Sequence, residues 1–276
     1  MLSKRIFLHS LLLTVLLPGF AQSVRTPVSA TYIGLGAYSQ NHTDVFSFTA
    51  NQAALAGVKQ NAIGVFGEQR FITEGLQMFS AAGAFRTKQG NFGVQADYFG
   101  FKNYNESQLG LAYGRMLSEA IDVGIQFNYF SFRIPGYGAS SAVTAELGAI
   151  AHLTEQLHAG VHVYNPVGGQ LSKTKDEKLG AAYTFGLGYE ASKSFLVSVE
   201  VIKQEDIPVN VNAGVLYNFA KQFFARAGFS SATESPYGGA GISWNNFRVD
   251  VCASYHPQLG FTPGMMLVYN FTNSDE

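Results

Sequence analysis

Cysteine occurs once in the 276 residues, tryptophan once and proline eight times. A single thiol, Cys252, can form no intramolecular disulfide and no multi-cysteine zinc site, so a disulfide scaffold and a zinc-finger class are both excluded. The scarcity of proline excludes collagen-like and proline-rich disordered chains. Charge is also short: 18 Lys+Arg and 19 Asp+Glu make 13% of the chain, about half the roughly 25% of an average soluble domain. A net charge of −1 gives nucleic acid or an anionic surface nothing to be drawn to. Beyond residue 21 there is no run of about 18 apolar residues, so no transmembrane helix follows. What is abundant is aromatic and small: 23 Phe, 14 Tyr and 30 Gly.

Residues 1–21 read as a secretory signal peptide. Lys4 and Arg5 form its positive region, Ile6 to Leu17 its apolar region, and Gly19-Phe20-Ala21 its small-residue cleavage site, so the mature chain is expected to start at Gln22. No cysteine follows that site, which excludes a lipoprotein anchor.

From residue 61 to 272 one pattern recurs: about ten residues of apolar/polar alternation, then a break. Successive side chains of a strand point to opposite faces, so this is the period of a β-strand. In 247–256, Phe247, Val249, Val251, Ala253 and Tyr255 share one face, and Arg248, Asp250, Cys252, Ser254 and His256 the other. Continued along the chain, the pattern predicts fourteen strands, near 62–71, 77–87, 91–101, 105–117, 121–132, 142–153, 157–164, 178–190, 194–202, 209–218, 222–230, 237–244, 247–256 and 264–271. Most have the 9–11 residues that a tilted transmembrane strand needs. Links after even-numbered strands are short (88–90, 118–120, 154–156, 191–193, 245–246), and most after odd-numbered strands are longer (133–141, 165–177, 203–208, 231–236, 257–263). Short periplasmic turns and longer outer loops mark bacterial outer-membrane barrels, so both ends of this barrel are expected in the periplasm.

A soluble sandwich or small barrel would turn its apolar face inward. Fourteen strands enclose a wider interior, and the polar face here carries Glu68, Arg70, Asp97, Asp122, Glu146, Glu200, Arg226, Arg248 and Asp250. These are the lumen-facing candidates, and the Val/Ile/Leu/Phe/Tyr face suits lipid. The predicted fold is therefore an all-β, up-and-down antiparallel transmembrane barrel in the Gram-negative outer membrane. Aromatics near strand ends (Tyr98, Phe99, Phe101 and Tyr104; Phe219, Phe223 and Phe224) fit the headgroup level.

Residues 22–60 do not alternate, and about 39 residues are too few for a separate core. They are expected to lie in the periplasm or fold into the lumen as a plug, with Asn51–Ala56 capping one short helical turn. Residues 273–276 form a short tail. The segment Gly34-Leu35-Gly36-Ala37-Tyr38, followed by Asp44-Val45-Phe46-Ser47-Phe48-Thr49-Ala50-Asn51-Gln52-Ala53-Ala54-Leu55-Ala56-Gly57, resembles the N-terminal region of the FadL-like outer-membrane superfamily, most of all its PorV/PorQ branch in Bacteroidota. Asn51, Ala53, Leu55 and Ala56 match that branch's Asn-Pro-Ala-x-Leu-Ala plug motif, with Gln52 in place of the proline, and Val163-Tyr164-Asn165-Pro166 resembles a strand-ending Asn-Pro of relatives. The compact outer loops and the tail beyond Phe271 depart from the pattern. The resemblance implies one of two roles. A PorV/PorQ-type barrel is a component or partner of the type IX secretion system, meeting secretion components or exported proteins. A FadL-like transporter carries hydrophobic small molecules, with the N-terminal segment as plug.

Three further constellations stand out in the sequence. His152 and His158 flank the turn at 154–156 and His162 follows, but no carboxylate or thiol obviously completes a metal site, since Glu146 is expected far up the barrel. Ser254 and His256 share a face about 6.6 Å apart, beyond hydrogen-bond reach, and no Gly-x-Ser-x-Gly element is present, so no enzyme is expected. The Asn-x-Ser/Thr triplets at Asn41, Asn105 and Asn270 carry no weight in a bacterial barrel. No cofactor is expected, no role is assigned to Cys252, and lipid is the expected surroundings.

Overall fold

The structure is a computed structural model and describes residues 34–134, 136, 138–166, 179–205 and 207–272. The predicted signal peptide, the first part of the predicted plug and the predicted tail at 273–276 lie outside the described residues. Fourteen strands close into one barrel in which each pairs antiparallel with its neighbours in sequence and β1 pairs with β14. They are β1 (Ala62–Gln69), β2 (Gln77–Thr87), β3 (Gly90–Phe101), β4 (Tyr104–Ser118), β5 (Ile121–Ile134), β6 (Gly138–His152), β7 (Leu157–Tyr164), β8 (Ala182–Ser192), β9 (Phe195–Gln204), β10 (Asn210–Asn218), β11 (Phe223–Ser230), β12 (Ser235–Trp244), β13 (Phe247–His256) and β14 (Gly260–Asn270).

The predicted strand count is met, and the departures are at the outer rim. Strands β5 and β6 pair as far as Ile134 and Gly138, so the loop expected at 133–141 shrinks to 135–137. Ala139, Ser140 and Ser141 do not alternate, but ladder hydrogen bonds run through the backbone and continue regardless. Likewise β14 begins at Gly260, with Pro263 inside it opposite Ala253, and β12 contains Pro236. Each of these prolines gives up one ladder bond close to the rim, where the loss is tolerated. Strand β1 ends two residues early because Arg70–Ile72 form a 3-10 turn that carries the chain over the rim.

The outward face is apolar along every strand. Val65, Phe79, Leu111, Phe127, Val143, Val161, Phe185, Val251 and Met265 are all exposed. At the rim of two- to four-residue turns, rings gather in two groups. Phe195, Tyr217, Phe219 and Phe223 form one, with centroids 6.0–6.4 Å apart, and Phe247, Tyr269 and Phe271 form the other, at 4.8 and 5.1 Å. A closed barrel without edges, an apolar outer belt and aromatic rings at its border are what a lipid bilayer requires of strands. The chain is an outer-membrane β-barrel.

The inward face packs on residues 34–58. Val45, Phe46, Phe48, Leu55 and Val58 form one core with Phe66, Ala82, Ala84, Ala112, Met266 and Val268 of the strands. Tyr38, Ala53 and Ala54 pack with Ile150, and Leu35 with Leu196 and Leu216. These contacts lie in the half of the barrel nearest the short-turn rim, where Ala62 leads into β1.

Candidate functional site

The inner segment fits because the wall is bare where it passes. Nine inward glycines on eight strands face it, and a Cβ at each would collide or crowd. At Gly188 it would lie 1.8 Å from the Tyr38 carbonyl oxygen, at Gly186 2.1 Å from the Tyr38 ring, at Gly148 2.2 Å from Asn51 Oδ1 and at Gly124 2.3 Å from the Gln52 backbone. The segment's own turns are short: 3-10 turns at Leu35–Tyr38 and Gln52–Gly57, and one α-turn at Ser47–Ala50. Asn51 caps the second 3-10 turn by accepting from the Ala53 amide at 3.1 Å, and its amide also donates to the Val161 carbonyl at 3.1 Å. Ala53 and Leu55 are fully buried and Ala56 is half-buried.

Polar contacts fasten this segment to four parts of the wall. Glu190 on β8 accepts from Ser39 Oγ, from the amides of Gln40 and Asn41 and from Asn41 Nδ2. Arg248 donates to Asp44 at 2.8 Å and to Asp250 at 3.1 Å, with Arg226 3.6 and 3.7 Å from the same two carboxylates. Asn91 donates to the carbonyls of Leu55 and Val58. Gln52 donates to Glu146 at 2.7 Å, so the residue standing where the related motif has proline adds a link between segment and wall.

Burial pushes the Asp44 carboxyl up, but Arg248 and Arg226 outweigh it and hold the group below its ordinary value. A carboxylate with a lowered folded value stabilises the fold above its unfolded value, and that stability is lost as pH falls through the folded value. Wild-type barrels are therefore expected to lose urea resistance as pH falls below the ordinary 3.8, and Asp44→Asn to show a smaller loss over the same interval. Urea midpoints measured in liposomes at stepped pH check this.

Above the segment lies a polar belt. Glu146 accepts from Gln52, from Asn128 Nδ2 at 2.6 Å and lies 2.8 Å from His162 Nε2. Gln126 Nε2 donates to Asn128 Oδ1 at 2.6 Å and to Gln95 Oε1 at 3.3 Å, and Gln95 donates to Asp97. The three wall histidines are thus not bare of carboxylates, contrary to the sequence reading. His162 meets Glu146, and His152 lies 2.9 Å from Asp122 and 2.8 Å from His158, which faces Glu190 at 3.6 Å. The register explains the Glu146 contact. Glu146 pairs with Tyr164 and His162 with Gly148, so the two side chains are diagonal neighbours within reach. Among the described residues no group of three or more His, Cys, Asp or Glu is placed to hold a metal ion.

The structure disperses the other sequence candidates. Glu68 and Arg70 pair at 3.1 Å near the outer end, with Arg70 stacked 4.5 Å over the Phe99 ring. Arg226, Arg248 and Asp250 gather around Asp44, and Glu200 lies opposite Asn212. Ser254 Oγ has no hydrogen-bond partner among the described residues, and His256 Nδ1 accepts from the turn amides of Gln258 and Leu259, so the two do not form a nucleophile–base pair.

Two apolar features were not read from the sequence. At the outer end of the interior, Met78, Phe99, Phe130, Ala142 and Leu179 form a buried cluster with Leu76, Tyr104 and Phe132 against it. On the opposite, lipid-facing side of the wall, a recess of about 880 Å³ spans β1–β6 and part of β14. Its centre is small (Ala81, Gly83, Ala96), its border large (Val65, Phe85, Leu109, Phe127, Tyr129, Tyr269), and the inward residues Gln95, Gly110 and Asn128 reach its floor. The signal was present as the alanine–glycine run at 81–84, whose small side chains thin the wall.

No protein-family profile and no curated protein matches the chain. Solved structures do. A structure described as the CymD monoaromatic hydrocarbon channel aligns over 90% of this chain and 98% of its own, with a TM-score of 0.66 and 13% identity. A Pseudomonas aeruginosa FadL homologue aligns over 88% and 98%, with a TM-score of 0.61 and 11% identity. The P. putida toluene transporter TodX aligns over 84% and 95%, with a TM-score of 0.59 and 9% identity. At such identities the likeness is one of fold: the chain has the architecture of the FadL-type outer-membrane barrels.

Proposed function

We propose that the protein is an outer-membrane channel for hydrophobic small molecules, with residues 34–58 as a plug that stays seated. The recess in the lipid-facing wall carries this reading. It is apolar, large enough for a small ligand, and floored by residues that belong to the interior, so only the paired strands, which must part for passage, separate a molecule there from the space beside the plug. The apolar cluster at the outer end gives such a molecule a place to leave water. The likeness to CymD, TodX and the FadL homologue, two of them described by the hydrocarbons they carry, supports the same reading.

Filling the recess tests it. Ala81→Phe with Ala96→Phe is expected to lower uptake of a radiolabelled aromatic hydrocarbon by a Gram-negative host to the level of cells lacking the protein, while the barrel still folds and inserts. Undiminished uptake in the filled variant would overturn the wall route. The type IX secretion reading rests on the Asn51–Ala56 motif and takes second place, because the PorV/PorQ branch gains no support from these likenesses. Recovery of secretion components after mild crosslinking in outer membranes would reinstate it.

A further inference from the structure

We infer that the molecules using this wall route are uncharged hydrophobes bearing a hydroxyl group, and that carboxylates are excluded. The inference rests on the channel reading and narrows its substrate class.

Behind the recess the buried polar atoms left without a partner are acceptors. The inward row Ala82, Gln95, Gly110, Asn128 and Thr144 is continuous across β2–β6 by strand register. The Asn128 and Gln126 side chains lie so close over Gly110 that a Cβ there would be 2.7 Å from both Asn128 Oδ1 and Gln126 Nε2. Asp97 and Gln108 flank this row on the outer side, Gln126 and Glu146 on the inner side. Three amide donors here are already engaged: Gln95 Nε2 by Asp97, Gln126 Nε2 by Asn128 and Gln95, and Asn128 Nδ2 by Glu146. Acceptors are left over. Gln126 Oε1 and Gln108 Oε1 are buried without a hydrogen-bond partner, in side chains that are 1% and 5% exposed.

An arriving group therefore gains by donating and loses by accepting. A hydroxyl satisfies one of these buried oxygens, whose isolation is otherwise costly. A carboxylate meets Asp97 and Glu146, no lysine or arginine stands at an inward position of β3–β6 among the described residues, and Arg70, which lies over Phe99 of β3, is already paired with Glu68. An ammonium group would suit the belt but would first have to shed its water in an apolar recess.

Toluene, 4-methylphenol and 4-methylbenzoate share a ring and a methyl group and differ only in the tested position. In a Gram-negative host expressing the full chain, 4-methylphenol uptake should exceed that of toluene by about three- to tenfold, the worth of one hydrogen bond. Uptake of 4-methylbenzoate should stay at the level of cells without the protein. In Gln108→Met and Gln126→Met, with folding checked by heat-modifiable mobility, the 4-methylphenol to toluene ratio should fall toward one. Equal uptake of toluene and 4-methylphenol, or carriage of 4-methylbenzoate, would overturn the substrate class and leave the channel standing. No carriage of any of the three would overturn both.

Discussion

Alanine at Gly188 is expected to unseat the Leu35–Tyr38 turn while the strands stay paired. The added Cβ would lie 1.8 Å from the Tyr38 carbonyl oxygen and 2.9 Å from its Cβ, and neither atom can rotate away because both are backbone or fixed to it. Overpacking by one carbon ordinarily costs about 1–3 kcal/mol, and this approach is closer than any relaxed contact. The barrel wall can respond only by deforming a ladder shared by β7, β8 and β9, whereas the segment can respond by moving out. The expected readouts are a heat-modifiable barrel, periplasmic protease cleavage within residues 34–58 and raised uptake of a large hydrophilic antibiotic. Gly238→Ala is the control, because its Cβ would meet nothing nearer than a carbonyl oxygen at 3.6 Å. If both variants behave as wild type, the segment does not rest against β8 and the reading of the glycines fails.

The same glycines mark the boundary of what the sequence discloses. Alternation was enough to find every strand, because a lipid-facing side chain must be apolar whatever its neighbours are, and that rule is local. In the same strands Gly186 and Gly188 alternate with Phe185, Leu187 and Tyr189, so the outward aromatics are legible and the inward glycines read only as small. Their meaning depends on Tyr38, about 150 positions away, which no local pattern connects to them. Leu35–Tyr38 form a buried 3-10 turn because the wall opposite is bare, which likewise no local pattern discloses. Glu146 was legible as an inward carboxylate but not as the partner of His162 and Gln52, since diagonal contacts depend on register, and register is set by closure of the whole barrel. The recess is hidden for a related reason. Ala81, Gly83 and Ala96 become one hollow only when β2 and β3 pair with Ala81 opposite Ala96.

Glu190→Ala is expected to lower barrel stability by roughly 3–5 kcal/mol and to free the same end of the inner segment without any steric change. The Glu190 carboxylate, 3% exposed, takes the hydroxyl of Ser39, two backbone amides and the Asn41 side chain. Hydrogen bonds to a charged group contribute about 1.5–3 kcal/mol each, and bonds converging on one carboxylate do not add, so the sum stays below four times that figure. Removing the acceptor also leaves His158, fully buried, with His152 as its remaining side-chain hydrogen-bond partner among the described residues. Asp44 and its two arginines hold the segment farther round the barrel, on β11 and β13, three and five strands from β8. A single Glu190→Ala change should therefore fray residues 39–41 and leave Asp44 seated. Urea midpoints in liposomes measure the loss, and hydrogen exchange at residues 39–41 against residues 44–55 measures its extent. Exchange rising equally over both stretches would show the segment leaving as one piece. An unchanged midpoint with protected amides at Gln40 and Asn41 would show that Glu190 does not hold the segment.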